Sequence, residues 1–194
     1  EGAGQITFDD FVTLDGPAAI AHVCETTGVD QIDWVGFSMG GIIGAALLGG
    51  PCGPTMRSLT LIGSPLRMSK RSIFRRLSGL GIRLFGWREA VPLRALSRLA
   101  ARLPGWLVKP CLAMIFNPRN VGWRPMRLAL DQSVEDIPTG LLEQMHGWPT
   151  NEHGHVGSQD HQIDYAARLK AGPPVPLMCI SGTGDLLGPV SASL

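Results

Sequence analysis

The hydrophobic pattern changes period along the chain. From residue 16 to 27, Ala18, Ile20, Ala21 and Val23 fall on one side at helical spacing. Asp15 is placed to cap that helix, Pro17 sits in its first turn where a missing N–H costs nothing, and Gly28 ends it. Residues 31–37 then run almost continuously apolar and read as a strand. A turn at Ser38 leads into a second helix, Gly41-Ile42-Ile43-Gly44-Ala45-Ala46-Leu47-Leu48. Gly49-Gly50-Pro51-Cys52-Gly53-Pro54 is a loop. Residues 57–63 form a second strand, closed by Ser64-Pro65, and residues 175–181 a third, entered through the stiff Ala171-Gly172-Pro173-Pro174. Strand, helix, strand with unalternating apolar strands is the pattern of a buried parallel sheet, so the expected class is α/β.

Between the second and third strands the character differs. Fourteen of the seventeen Lys and Arg fall between Arg67 and Arg127, where Glu89 is the only acid, so this stretch carries about +13. The following stretch reverses sign with Asp131, Glu135, Asp136, Glu143, Glu152, Asp160 and Asp164. The basic part is also amphipathic: Arg94, Arg98 and Arg102 recur every four residues beside Leu93, Leu96, Ala100 and Leu103. Residues 66–165 are therefore expected to be a helical insertion over the sheet. No internal repeat and no low-complexity tract is read here.

Bulk properties narrow the classes. A chain of 194 residues, 44% hydrophobic and 17% charged, suits one folded domain with a real core. A net charge of +1 gives no global reason to expect nucleic acid. Cys24, Cys52, Cys111 and Cys179 are scattered without a C-x-x-C pair and suit neither a zinc site nor a disulfide framework, so reduced thiols in a cytoplasmic-type protein are the default. No apolar run reaches the roughly 18–20 residues of a membrane helix. No signal peptide is visible, and the chain starts Glu-Gly-Ala-Gly without a methionine.

Candidate chemistry centres on Gly36-Phe37-Ser38-Met39-Gly40, a G-x-S-x-G pentapeptide between the first strand and the helix after it. A serine on such a sharp turn is displayed above the sheet as a nucleophile. Gly36 and Gly40 are expected to leave room for its strained backbone, and the Met39 amide, heading the helix, to point where an oxyanion would form. A second candidate is Asp185 in Gly182-Thr183-Gly184-Asp185, a turn at the carboxyl end of the sheet where ligand-facing loops lie. An ordinary turn aspartate remains open for it. His22 reads as a helix-surface residue; His146, His153, His155 and His161 read as a solvated loop cluster, with no metal expected and no general base assigned.

Thr7-Phe8-Asp9-Asp10-Phe11, Asp15-Gly16-Pro17-Ala18-Ala19-Ile20, Thr26-Thr27-Gly28 and Trp34-Val35-Gly36-Phe37-Ser38-Met39-Gly40-Gly41 together resemble the α/β-hydrolase superfamily. The likeness is closest to its acid-lipase branch, with some similarity to polyhydroxyalkanoate synthases. Residues 175–189 resemble the strand and turn that carry the triad acid. The resemblance implies Ser38 as nucleophile, Met39 as half of the oxyanion hole, Asp185 as the acid, no cofactor, and a helical cap or lid in the insertion. It implies core segments 1–65 and 166–194 around the 66–165 cap.

The superfamily orders its triad as serine, acid, histidine. Residues 186–194 contain no histidine, and no His-Gly pair lies near residue 1. The expectation is a partial fold: about three parallel strands, with 31–37 on one edge and Trp34 and Val35 underburied, and little or no activity from these residues alone. The substrate class expected is a hydrophobic, lipid-like ester. The Arg-rich cap with Phe74, Phe85, Trp87, Trp106 and Leu107 is a candidate for an anionic membrane surface or an acyl-CoA phosphate. Competing readings are an acyltransferase of the polyester-synthase type, which would use cysteine at the elbow, and a non-catalytic lipid- or partner-binding module on the same scaffold.

Overall fold

A computed structural model describes residues 6–113, 117, 119–150 and 154–185. In chain order the elements are α1 (Phe8–Asp10), a π-helical turn (Phe11–Asp15), α2 (Gly16–Thr27), β1 (Ile32–Phe37), α3 (Met39–Leu48), β2 (Met56–Ile62), α4 (Ile73–Phe85), β3 (Ala90–Val91), α5 (Leu93–Arg102), α6 (Gly105–Leu112), α7 (Trp123–Gln132), β4 (Ile137–Pro138), α8 (Thr139–Gly147), α9 (Tyr165–Ala171) and β5 (Leu177–Ile180). They divide into two compact units, one built on residues 76–143 and the other on 7–75 with the described residues from 144 onward.

The second unit holds the sheet. Its strands are all parallel in the order β1-β2-β5, so β1 lies on one edge as its sequence position suggests. The central strand is the buried one: Met56, Leu59 and Leu61 are inaccessible. Helix α3 is apolar on every side, and residues 41–48 are all buried against β1, β2 and α9. The edge is less covered. Val35 is 67% exposed and Phe37 74%, while Trp34 is half-buried beside a groove lined by Ala19, Ile20, Val23 and Ile32.

The chain enters α2 differently from the expected Asp15 cap. Asp15 has helical backbone angles and makes no capping bond, because the helix has already started at Phe8. There the Asp10 carboxylate accepts from both the amide (2.7 Å) and the hydroxyl (2.9 Å) of Thr7. This start is anchored to the far end of the sequence. Asp9 Oδ1 accepts from Tyr165 OH (2.7 Å) and Gln144 Nε2 (2.8 Å), and Asp9 Oδ2 from the Gln159 amide (2.9 Å). Gln144 Oε1 accepts from the Phe8 amide at 2.7 Å, and Trp148 Nε1 donates to the Gly157 carbonyl at 2.8 Å. The fully buried Phe8 ring meets Trp148 edge-on at 5.1 Å and tilts against Tyr165 at 5.7 Å. Burial, then the Asp9 bond and charge, push the Tyr165 phenol above its ordinary value.

The other unit is helical. Helices α5 and α7 pack together over Ala101, Val108, Leu112, Met126 and Leu130. Two-residue strands β3 and β4 pair antiparallel, and the Thr139 hydroxyl ties that end by donating to the Arg88 carbonyl (2.6 Å). Part of the acidic stretch answers the basic one locally: Glu135 pairs with Arg94 at 3.3 Å, and Asp136 accepts from the Arg94 amide at 2.9 Å. Of the apolar stripe of α5 only Ala100 packs on the core of this unit. Leu96, Leu99 and Leu103 are exposed, and the buried positions are Ser97 and Ala101, small enough for α7 to approach closely. Among the described residues, no helix is long and apolar enough to cross a membrane.

Phe8 joins both ends of the sheet-bearing unit, so Phe8→Ala should lower its stability by about 3–5 kcal/mol in urea unfolding. A loss under about 1 kcal/mol would show that the N-terminal helix does not hold this unit together.

Candidate active site

Strand β1 ends at Phe37, and Ser38 turns the chain through φ 50°, ψ −119° before α3 begins at Met39. Such angles are rare for a residue with a Cβ and persist only where surroundings enforce them. Here both neighbours do so. The Ser38 amide donates to the Ile62 carbonyl at the end of β2 (2.8 Å), and the Ser38 carbonyl accepts from the amides of Gly41 (3.1 Å) and Ile42 (3.3 Å). The residue is solvent-exposed and lies outside the helix it opens. Met39 heads α3, where backbone N–H groups have no acceptor within the helix.

Glycine is required at the crossing of α3 over β1. A Cβ on Gly36 would lie 2.3 Å from the Gly41 nitrogen and 2.4 Å from the Gly40 carbonyl, and a Cβ on Gly41 2.1 Å from Ser64 Oγ. At Gly40 a Cβ would meet nothing within 4 Å beyond its chain neighbours and its own helix. The helix meets the strand through the peptide unit that joins Gly40 to Gly41. Gly40 takes part through its backbone instead, its carbonyl accepting from Trp34 Nε1 at 3.0 Å.

Asp185 closes the turn after β5, its amide donating to the Gly182 carbonyl at 3.1 Å. Its Oδ2 lies 3.6 Å from where a Cβ on Gly63 would stand, and the Gly63 amide donates to the Ile180 carbonyl at 2.8 Å. Ser38 thus holds the Ile62 carbonyl while the Asp185 carboxylate sits over the next residue. Ser38 and Asp185 thus both adjoin the carboxyl end of the central strand. Leu186–Pro189, the end of the segment resembling the acid-bearing turn, lie outside the described residues.

A profile of the alpha/beta hydrolase fold family matches residues 2–194. The chain belongs to that family. No match is found among curated proteins. The three parallel strands in the order β1-β2-β5, with helices packed on them, agree with that fold.

Histidines are distributed otherwise than in a solvated cluster. His155 is partly buried, and its Nδ1 lies 2.7 Å from Asp164 Oδ2. Its backbone bridges antiparallel to Arg67, an approach allowed by Gly154 at φ 68°. His161 remains exposed, His22 lies on the open side of α2, and His153 lies outside the described residues. Among the described residues, no group of three His, Cys, Asp or Glu is placed to hold a metal. Sequence reasoning missed the His155–Asp164 pair and the Asp9–Gln144–Tyr165 network. The only signal available was Asp164 ahead of the helical Tyr165–Ala171, a cap whose carboxylate accepts from the Ala167 amide at 2.8 Å.

Two predictions follow from this geometry. Gly36→Ala should cost about 3 kcal/mol or more by overpacking, whereas Gly40→Ala should be neutral or stabilise by up to about 1 kcal/mol through helix propensity. Equal costs in urea unfolding would refute the asymmetry. The second concerns acid. Burial alone pushes the Asp164 carboxyl up, but the Ala167 amide and His155 outweigh it and hold it below its ordinary value. A lowered carboxyl stabilises the fold fully above the unfolded value near about 4 and loses that contribution as pH falls through its folded value. Asp164→Asn should therefore be less stable than the native chain at neutral pH, with the gap closing as pH falls below the unfolded carboxyl's range. A gap that stays constant through the acid titration would show the carboxylate charge to be irrelevant.

Proposed function

We propose that this alpha/beta hydrolase is a serine hydrolase of carboxylic esters with hydrophobic acyl groups. Ser38 is its nucleophile, the Met39 amide one oxyanion donor, and Asp185 the acid that orients a histidine. The observation that carries this reading is the enforced Ser38 backbone, which sets an exposed hydroxyl at the head of α3. The position of Asp185 beside Gly63 supports it, since both groups adjoin the end of β2. In the reaction, a histidine takes the hydroxyl proton as Ser38 Oγ bonds to the ester carbonyl carbon. Backbone amides stabilise the oxyanion, each by about 3–4 kcal/mol in comparable sites. The alcohol leaves with that proton, and water then releases the acid. The helical unit is the substrate-selecting cap in this reading, and its abundant leucines and tryptophans favour an acyl chain over a small polar ester.

The test is p-nitrophenyl ester hydrolysis by the protein as its gene encodes it. In the gene-encoded protein, Ser38→Ala and Asp185→Asn should each reduce kcat about 10³-fold or more with circular dichroism unchanged. Turnover that survives Ser38→Ala overturns the reading. Absence of turnover from the gene-encoded protein would favour a non-catalytic role for the scaffold.

A further inference from the structure

The helical unit contains a repeat that the reading of individual helices passes over. Leu77-Ser78-Gly79-Leu80-Gly81-Ile82-Arg83-Leu84-Phe85-Gly86-Trp87 recurs 19 residues later as Leu96-Ser97-Arg98-Leu99-Ala100-Ala101-Arg102-Leu103-Pro104-Gly105-Trp106. Seven of the eleven positions are identical: one serine, one glycine, three leucines, one arginine and the terminal tryptophan. The structure gives both copies the same orientation. Each serine is buried, Ser78 at 5% and Ser97 at 9% exposure, and each tryptophan is out, Trp87 at 80% and Trp106 at 77%. All six leucines are exposed. On α4 and α5 these leucines follow one another by three and then four residues, so each copy carries an outward apolar stripe that ends in an indole. Arg76, Arg83 and Arg88 flank the first stripe, and Arg98 and Arg102 the second, all exposed.

An ordinary surface helix turns its leucines in and its serines out. Here the arrangement is inverted twice in the same way. Exposed apolar stripes rimmed by charge mark a binding surface. We propose that the two repeats are twin anchors that seat this helical unit on an anionic lipid bilayer.

Three observations select that occupant. The stretch around the repeats carries fourteen cations and a single acid between residues 67 and 127, a charge that anionic headgroups complement. The stripes end in tryptophan, whose amphipathic ring suits the headgroup level. The copies are alike, and a bilayer offers both the same chemistry, whereas a folded partner would offer each a different pocket. Self-association through the stripes would set arginine against arginine. The proposal stands apart from the hydrolase reading: vesicle binding is measured without substrate, so its failure leaves the role of Ser38 untouched.

Co-sedimentation with phosphatidylcholine vesicles containing about a third phosphatidylglycerol, against phosphatidylcholine alone, tests it. We expect binding to the anionic vesicles that weakens with salt, and little to the neutral ones. Arg83→Gln and Arg102→Gln should each weaken binding about fivefold. The double variant Trp87→Ser with Trp106→Ser should weaken it about tenfold or more. Both tryptophans are exposed, so urea midpoints should not move, and the arginine variants give a second readout if they do. No binding to anionic vesicles, equal binding to both lipids, or variants that bind like the native chain would overturn the proposal. So would a concentration-dependent dimer in sedimentation velocity that the double tryptophan variant abolishes.

Discussion

The start of α3 crosses the end of β1 at backbone contact, and the rest of the sheet-bearing unit is arranged around that crossing. The Gly41 nitrogen stands 2.3 Å from where a side chain on Gly36 would begin. At this separation the chain has one residue in which to reverse from extended to helical, and Ser38 absorbs the turn at φ 50°. The strain is held by bonds on both sides, to Ile62 across the sheet and to Gly41 and Ile42 along the helix. Close packing of an all-apolar helix on β1 and β2 is what makes the crossing stable, and an exposed hydroxyl at the helix head is its by-product.

How much of this was legible in the sequence depended on whether the signal was local. The strands, the helix after Ser38 and the parallel class follow from apolar runs and turn residues, and the observed bounds differ from the expected ones by one or two residues at most ends. The pentapeptide marks the serine because its geometry is confined to neighbours. It does not say at which glycine a side chain would collide, since that depends on the phase of α3: a Cβ on Gly41 would strike Ser64, whereas one on Gly40 would meet open space. Asp15 looked like a cap because caps are read from the residues beside them. The helix had begun seven residues earlier, at a Thr7–Asp10 box anchored through Asp9 to Gln144, Gln159 and Tyr165. Bonds across some 150 positions leave no local trace.

The helical unit shows the opposite limit. Periodicity detects a stripe of leucines but not the side on which it packs. In α5 the small Ser97 and Ala101 are buried, Ala101 beside Met126 and Leu130 of α7, while Leu96 and Leu99 face out. Reading each helix as an ordinary amphipathic element also hid the repeat, because its sense lies in what is exposed twice. His155 is a further case: a residue that pairs with Asp164 only because the chain turns back at Gly154 looks, in sequence, like one more loop histidine.

The central claim is that the enforced turn makes Ser38 chemically special among the serines of this alpha/beta hydrolase. Peptide mapping of the gene-encoded protein after reaction with a fluorophosphonate tests it most directly. The account predicts a phosphonate ester on the peptide containing Ser38, lost after denaturation before labelling. An adduct carried by another serine, or none on Ser38 in protein that hydrolyses esters, would contradict it.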